Sequence, residues 1–408
     1  MRNLMWALLL VSLSSAPAWA QKAPVNKLHP DTALPLAEAT LALVDATLND
    51  AELPPLSEGR RRVLVIDPLI DRATGQETSA TRIIGRRMAE LIAERHPQFE
   101  VKPFTESVMA ENPFLLLGSM TPSKLGDTQP AAETADTYRI WAVLVDWERG
   151  MVLSHPTAWV KASDVDATPT EFYKQSPVWL SDALHAAYIR TCASAPDKPA
   201  DPGYLQGVHT QSLVTQAIEA YESGDYRRSL ALYEQARGQP EGVQLRVLNG
   251  IYLAKRALRD RRGEEADFKE LVDYGLEKSR LALKLLFRPG SATLPMEASA
   301  GPQYRMWLDA LAERAGSREV CLLVAGHASR TGSAAFNDKL SHRRAEFAAH
   351  RLQKRERELQ GRVQTQGFGF RQPLIGTGTD DFRDALDRRV EFSVRDCRAE
   401  IQMSSERP

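Results

Sequence analysis

Cysteine is scarce, three in 408 residues, which excludes a scaffold built on disulfides. No uninterrupted apolar run reaches the roughly 18 residues of a membrane span, which excludes a polytopic helical membrane protein. No charge sign prevails: 52 basic against 53 acidic side chains leave a net −1, which argues against a bulk nucleic-acid binder. The chain has no Gly-x-Ser-x-Gly elbow, no His-Glu-x-x-His and no phosphate loop. Its eight histidines are scattered, without cysteine or carboxylate at metal spacing. No catalytic residue, metal or cofactor is therefore expected. What remains is an ordinary globular balance, 26% charged and 43% hydrophobic, long enough for two or three domains.

Arg2, the apolar run Leu4 to Leu13 and the small-x-small triplet Ala18-Trp19-Ala20 form an export signal over 1–20, cleaved after Ala20. A retained anchor is the other reading, although ten apolar residues are too few to span a bilayer. Cleavage places the mature chain in the periplasm, where association with the outer membrane stays open. Disulfides can form there. Cys321 opens an apolar strand and Cys397 closes a later one, so antiparallel pairing of those strands would bring the two thiols together. Cys192 is left as a free thiol, a buried apolar residue or an intermolecular bridge.

The periodicity divides the mature chain into blocks. Residues 21–60 are a leader with one helix, presenting Leu36, Thr40, Leu41, Val44 and Leu48 on one face. Residues 61–190 read as α/β. Val63 to Ile66 is a strand stopped by Pro68, and Ile84, Met88, Leu91 and Ile92 mark a helix. Phe99 and Val101 mark a strand, and Glu148-Arg149-Gly150 turns a hairpin. Residues 191–210 are a linker by composition, with four prolines or glycines between Ala195 and Gly203. Residues 211–284 are helical, with stripes at Leu213, Ala217, Ile218 and Tyr221, then Ser229, Tyr233 and Ala236, then a second pair.

Residues 285–397 carry the informative pattern. A strand at Leu285 and Phe287 and a helix through Tyr304, Trp307, Leu308 and Leu311 lead to the buried strand Val320 to Ala325. The loop 326–333 opens a second helix, and strands near Gly367 and from Asp387 to Phe392 close a β-α-β-α-β-β sandwich. Leu285 to Arg395 holds 18 Lys+Arg against 13 Asp+Glu, an excess of five positive charges. Arg344 falls at the edge of an apolar stripe, where a guanidinium needs an anion or must reach solvent. An anionic ligand answers that need; so does an internal salt bridge to Asp387 or Asp338. Residues 398–408 are a tail.

Four motifs in this block resemble the OmpA-like peptidoglycan-binding family. Gly326-His-Ala-Ser-Arg-Thr-Gly-Ser333 is similar to its ligand loop, and Asn337 with Leu340-Ser-His-Arg-Arg-Ala345 to its helix. Gly367-Phe-Gly-Phe-Arg-Gln-Pro373 and Asp387-Arg-Arg-Val-Glu-Phe392 complete the set. The resemblance implies a stem-peptide partner, with Arg344 holding the carboxylate of diaminopimelate, Asn337 supporting the loop, and His327, Ser329 and Thr331 lining the site. Two positions depart from the family. Ser329 stands where the family has the aspartate that receives the ligand ammonium, and Phe370 where it has glutamate. Replacing a charge-assisted bond of about 1.5–3 kcal/mol by a neutral one of about 1 weakens binding by roughly ten-fold or more.

Elsewhere the likeness is looser. Ala220 to Ala236 resembles the middle of a tetratricopeptide (TPR) repeat, which implies a short TPR-like helical segment. The first block resembles flagellar FlgO-like and curli-export CsgG-like envelope-assembly proteins in the order strand, helix, strand, hairpin. The fold expectation is multi-domain, α/β plus α, ending in an OmpA-like domain. The functional expectation is a periplasmic peptidoglycan-associated scaffold that meets an envelope protein through its first two blocks. The alternatives are an envelope assembly factor whose OmpA-like domain binds peptidoglycan weakly or not at all, and a cell-wall hydrolase, for which no nucleophile–base pair is visible.

Overall fold

The computed structural model describes residues 28–397 apart from 30, 57–58, 128–134, 180–181, 289, 295–299, 319 and 376–384. The export segment, the cleavage point after Ala20, the first part of the leader and the tail 398–408 lie outside the described residues.

The chain opens with β1 (Ala33–Leu34) and α1 (Leu36–Asn49). It continues through β2 (Arg62–Ile66), β3 (Ile70–Asp71), α2 (Ser79–Arg95), β4 (Phe99–Lys102), α3 (Glu106–Met109), β5 (Phe114–Ser123), β6 (Thr137–Asp146), β7 (Met151–Ser154) and β8 (Thr157–Lys161). These strands form one sheet in the order β1-β8-β6-β5-β2-β4, with β3 beside β5 and β7 beside β6. β2 runs parallel to β4 and β5, while β6 is antiparallel to β5, β7 and β8. Successive residues of β5 alternate between two cores, as the two-residue period of a strand requires. Leu116 and Met120 meet Leu43, Ile84 and Met88 from α1 and α2. Leu115 and Leu117 face the opposite core, with Tyr188, Tyr204 and Val208.

α4 (Glu171–Gln175), β9 (Val178–Trp179) and α5 (Ala183–Ala193) follow, then four successive helices: α6 (Pro202–Glu222), α7 (Tyr226–Arg237), α8 (Leu245–Ala257) and α9 (Arg261–Glu277). The stretch read as a linker is instead docked. Val152 donates its N–H to the Lys198 carbonyl, Asp197 to Val152 and Ala200 to Gly150, each at 2.9 Å. α6 begins at Pro202, capped by Asp201, well before the helical stripe at 211. Proline-rich composition suppresses helix locally, but it does not prevent main-chain pairing against a strand edge.

The C-terminal part runs β10 (Arg280–Leu283), α10 (Ala300–Gly316), β11 (Cys321–Gly326), α11 (Ala334–Arg355), β12 (Val363–Gly367) and β13 (Val390–Arg395). The first strand is thus 280–283, and Leu285 and Phe287, expected in it, are buried just beyond its end. The closing strand starts at Val390, with Asp387 in a single helical turn before it. The sheet order is β12-β11-β13-β10-β9, so Val178 and Trp179 from the first half complete the second sheet. Its core is continuous with the helices: Leu322 and Val324 belong to the same apolar cluster as Leu308, Ala345, Phe268 and Tyr233. β11 and β13 are antiparallel, with Cys321 opposite Arg395, and a disulfide joins Cys321 to Cys397. Cys192 is a buried free thiol.

Candidate functional site

β11 ends at Gly326, the loop 327–333 crosses over, and Ser333 caps α11 by accepting from the Phe336 N–H at 3.3 Å. Strand and helix approach closely here. A Cβ on Gly326 would lie 1.9 Å from the Ser341 carbonyl oxygen, so no larger residue fits. Gly369 has φ +56°, and its N–H donates to the Ser341 hydroxyl at 2.8 Å. The Phe368 N–H donates to the Gly326 carbonyl at 3.0 Å, and the Ala328 N–H to the Gly369 carbonyl at 2.9 Å. The two glycine motifs therefore zip the loop to the turn after β12.

Asn337, on the first turn of α11, is buried and donates through Nδ2 to the Thr331 carbonyl at 2.8 Å and the Ser333 carbonyl at 3.3 Å. It ties the loop from inside. Thr331 itself is exposed, whereas Ser329 is 5% exposed. Arg344, two turns further along α11, is 1% exposed. Its Nε donates to the Ser291 carbonyl at 3.2 Å and its Nη1 to the His327 carbonyl at 3.3 Å. The guanidinium carbon lies 5.1 Å from the centre of the Phe287 ring. The helix, the loop and the segment after β10 thus converge on one cation. Of the two carboxylates considered as its internal partners, Asp338 pairs with Arg371 at 2.5 Å. Asp387 accepts from the N–H groups of Leu374 and Ile375 at 2.6 and 3.1 Å.

His327 turns inward. It is 1% exposed, its ring stacks on Phe368 with centroids 5.4 Å apart, and neither ring nitrogen has a hydrogen-bond partner among the described residues. Burial, reinforced by the charge of Arg389, pushes its pKa down to about 3, so it is neutral. Glu391, 4.0 Å away, is clamped by Arg389 at 2.6 Å and by both ends of the Arg280 fork at 3.0 Å. Burial raises its pKa, but the hydrogen bonds and charges of Arg280 and Arg389 outweigh that and hold it at about 2.

This carboxylate cluster was not foreseen as chemistry. Its signal was present: Arg389 and Glu391 are two apart in the strand expected over Asp387 to Phe392, and residues at that spacing in a strand share a face. Arg280, on the neighbouring strand, had no local signal. Phe287 was visible only as an apolar residue, and its place under Arg344 depends on the chain folding back after β10. The glycine-rich stretch Gly376 to Asp381 lies outside the described residues.

The C-terminal region is thus a loop pinned over a buried arginine, on a sheet backed by two helices. Residues 286–385 match the OmpA family. Among solved structures, the chain is similar to an outer membrane protein from Borrelia burgdorferi, at 20% identity over 29% of this chain and 88% of that one, TM-score 0.22. It is similar to the peptidoglycan-associated lipoprotein from Burkholderia pseudomallei, at 20% identity over 28% and 89%, TM-score 0.23. It is also similar to the cell wall anchor of the T6SS from Pseudomonas aeruginosa, at 24% identity over 28% and 79%, TM-score 0.24. No curated protein matches the chain. Among the described residues, no helix is long and apolar enough to cross a membrane.

Proposed function

We propose that the chain is a non-enzymatic, peptidoglycan-associated binding protein of the cell envelope, exported to the periplasm. In this reading Arg344 receives the diaminopimelate carboxylate of a stem peptide, and the loop 327–333 with Ser329 faces the ligand. The supporting observation is the convergence on Arg344 of two main-chain carbonyls and an aromatic face, inside the region that matches the OmpA family. A bidentate bond from a guanidinium to a carboxylate is stronger than either of these carbonyl contacts. Ligand entry then requires Ser291 or the loop to lift. The four helices α6–α9 and the first sheet are left to meet an envelope protein partner.

A second reading is favoured by burial. With Arg344 at 1% and Ser329 at 5% exposure, and no charge at position 329, the chain would serve as an envelope assembly factor whose OmpA-like domain binds peptidoglycan weakly or not at all. Co-sedimentation with purified sacculi separates the two. Under the first, the wild type is retained and Arg344→Ala is not. Under the second, retention is low and Ser329→Asp raises it. A wild type that is not retained, with Ser329→Asp no better, would sink both.

A further inference from the structure

A cavity of about 550 Å³ opens where β2 and β4 run out, between α2 and α6. The two strands are parallel neighbours, so their carboxyl ends lie together, and in open α/β sheets ligands bind beyond those ends. The volume falls within the ~300–1,000 Å³ typical of small-molecule sites. Ile66, Leu69, Val101, Phe104 and Ile218 give it an apolar lining.

Its cations fall into two kinds. Arg82 is held by both Glu77 and Glu222, and Lys102 pairs with Glu111 at 2.6 Å. Arg86 and Arg246 also line the cavity, yet among the described residues neither has a carboxylate within ion-pair distance. Arg86 is exposed and Arg246 half-buried. Tyr173 hydrogen-bonds Arg246, and two carboxylates bear on it by charge from beyond ion-pair distance, Asp182 first and then Asp67, which lies between the lining residues Ile66 and Pro68. Asp67 is fully buried, accepts from the Tyr204 hydroxyl at 2.9 Å, and leaves its other oxygen without a hydrogen-bond partner among the described residues. Burial pushes its pKa up to about 7, against the pull of Tyr204 and Arg246, so its charge offsets that of Arg246 only partly near neutral pH. A guanidinium partly removed from water and without an ion pair is stabilised by an anion from outside.

We propose that this cavity binds a small amphiphile, its apolar body against Ile66, Val101 and Phe104 and its single anionic group, carboxylate or phosphate, on Arg246. The site lies outside residues 286–385, so it stands or falls independently of peptidoglycan binding. Isothermal titration of the full-length chain with decanoate, decyl phosphate and decanol tests it. Saturable 1:1 binding of decanoate, decyl phosphate or both, with decanol at least roughly ten-fold weaker, is expected; which of the two binds tighter identifies the head group. Arg246→Gln is expected to weaken the anionic ligand by roughly ten-fold to a hundred-fold. Gly85→Phe, on α2, guards against a folding artefact. A Cβ there meets only Leu69, at 3.9 Å, so the ring enters the cavity and abolishes binding while the melting temperature holds or rises. No binding of either anionic probe, decanol binding as tightly as they do, or affinity unchanged in both variants would overturn the proposal.

Discussion

Acid sensitivity should trace in part to one imidazole. His327 has a usual pKa of 6.5 in the unfolded chain and about 3 in the folded one. A folded-state pKa lowered in this way gives stability that is full above pH 6.5 and is lost as pH falls from 6.5 towards 3, because only the unfolded chain gains the proton. At 1.36 kcal/mol per pH unit, moving from 6.5 to 5.0 removes about 2 kcal/mol. His327→Phe abolishes this loss. It keeps a ring stacked on Phe368, and neither nitrogen of the imidazole it replaces has a hydrogen-bond partner among the described residues. Urea unfolding of both proteins at pH 7.5 and 5.0, followed by tryptophan fluorescence, measures the gap between them. Other histidines contribute equally to both proteins and cancel. The gap should move by about 2 kcal/mol in favour of the variant at the lower pH. If it is the same at both pH values, His327 is not held neutral and the inward placement of its ring is wrong.

Gly326→Ala would set a methyl group 1.9 Å from the Ser341 carbonyl oxygen, forcing β11 and α11 apart. A loss of about 3 kcal/mol is expected, read as a lowered melting temperature; a loss near zero would mean that the two elements are not in contact. The Cys321–Cys397 disulfide closes a sequence separation of 76 residues, and chain entropy assigns such a loop about 4 kcal/mol. The double serine variant should unfold at correspondingly lower guanidinium, and reductant should shift the wild type but not the variant.

The C-terminal motifs were legible because each glycine and arginine in them answers a local demand. Gly326 sits at a steric contact, Gly369 at a positive φ, and Arg344 on a buried helix face. The apolar stripe of α2 was legible for the same reason, with Ile84, Met88, Leu91 and Ile92 all buried. What escaped was non-local. β5, in the middle of the first sheet, was not foreseen: both its faces are covered, so Phe114-Leu-Leu-Leu117 shows no alternation to read. The docking of 197–200 on the β7 hairpin and the pairing of Val178–Trp179 with β10 join residues whose partners no window of sequence contains. Arg344 could be picked out, but the closure above it could not, since it depends on where Ser291 and Phe287 return.

The pairing of β9 with β10 has a mechanical consequence. Leu283 and Ala282 bond to Val178 and Trp179 on one side and to Val390 and Glu391 on the other. A tug on the C-terminal sheet is therefore shared with the first half of the chain through a seam of main-chain bonds. A fragment trimmed to residues 286–385 would be cut loose from that seam, without β10 and β13, and would report poorly on the load the whole molecule bears.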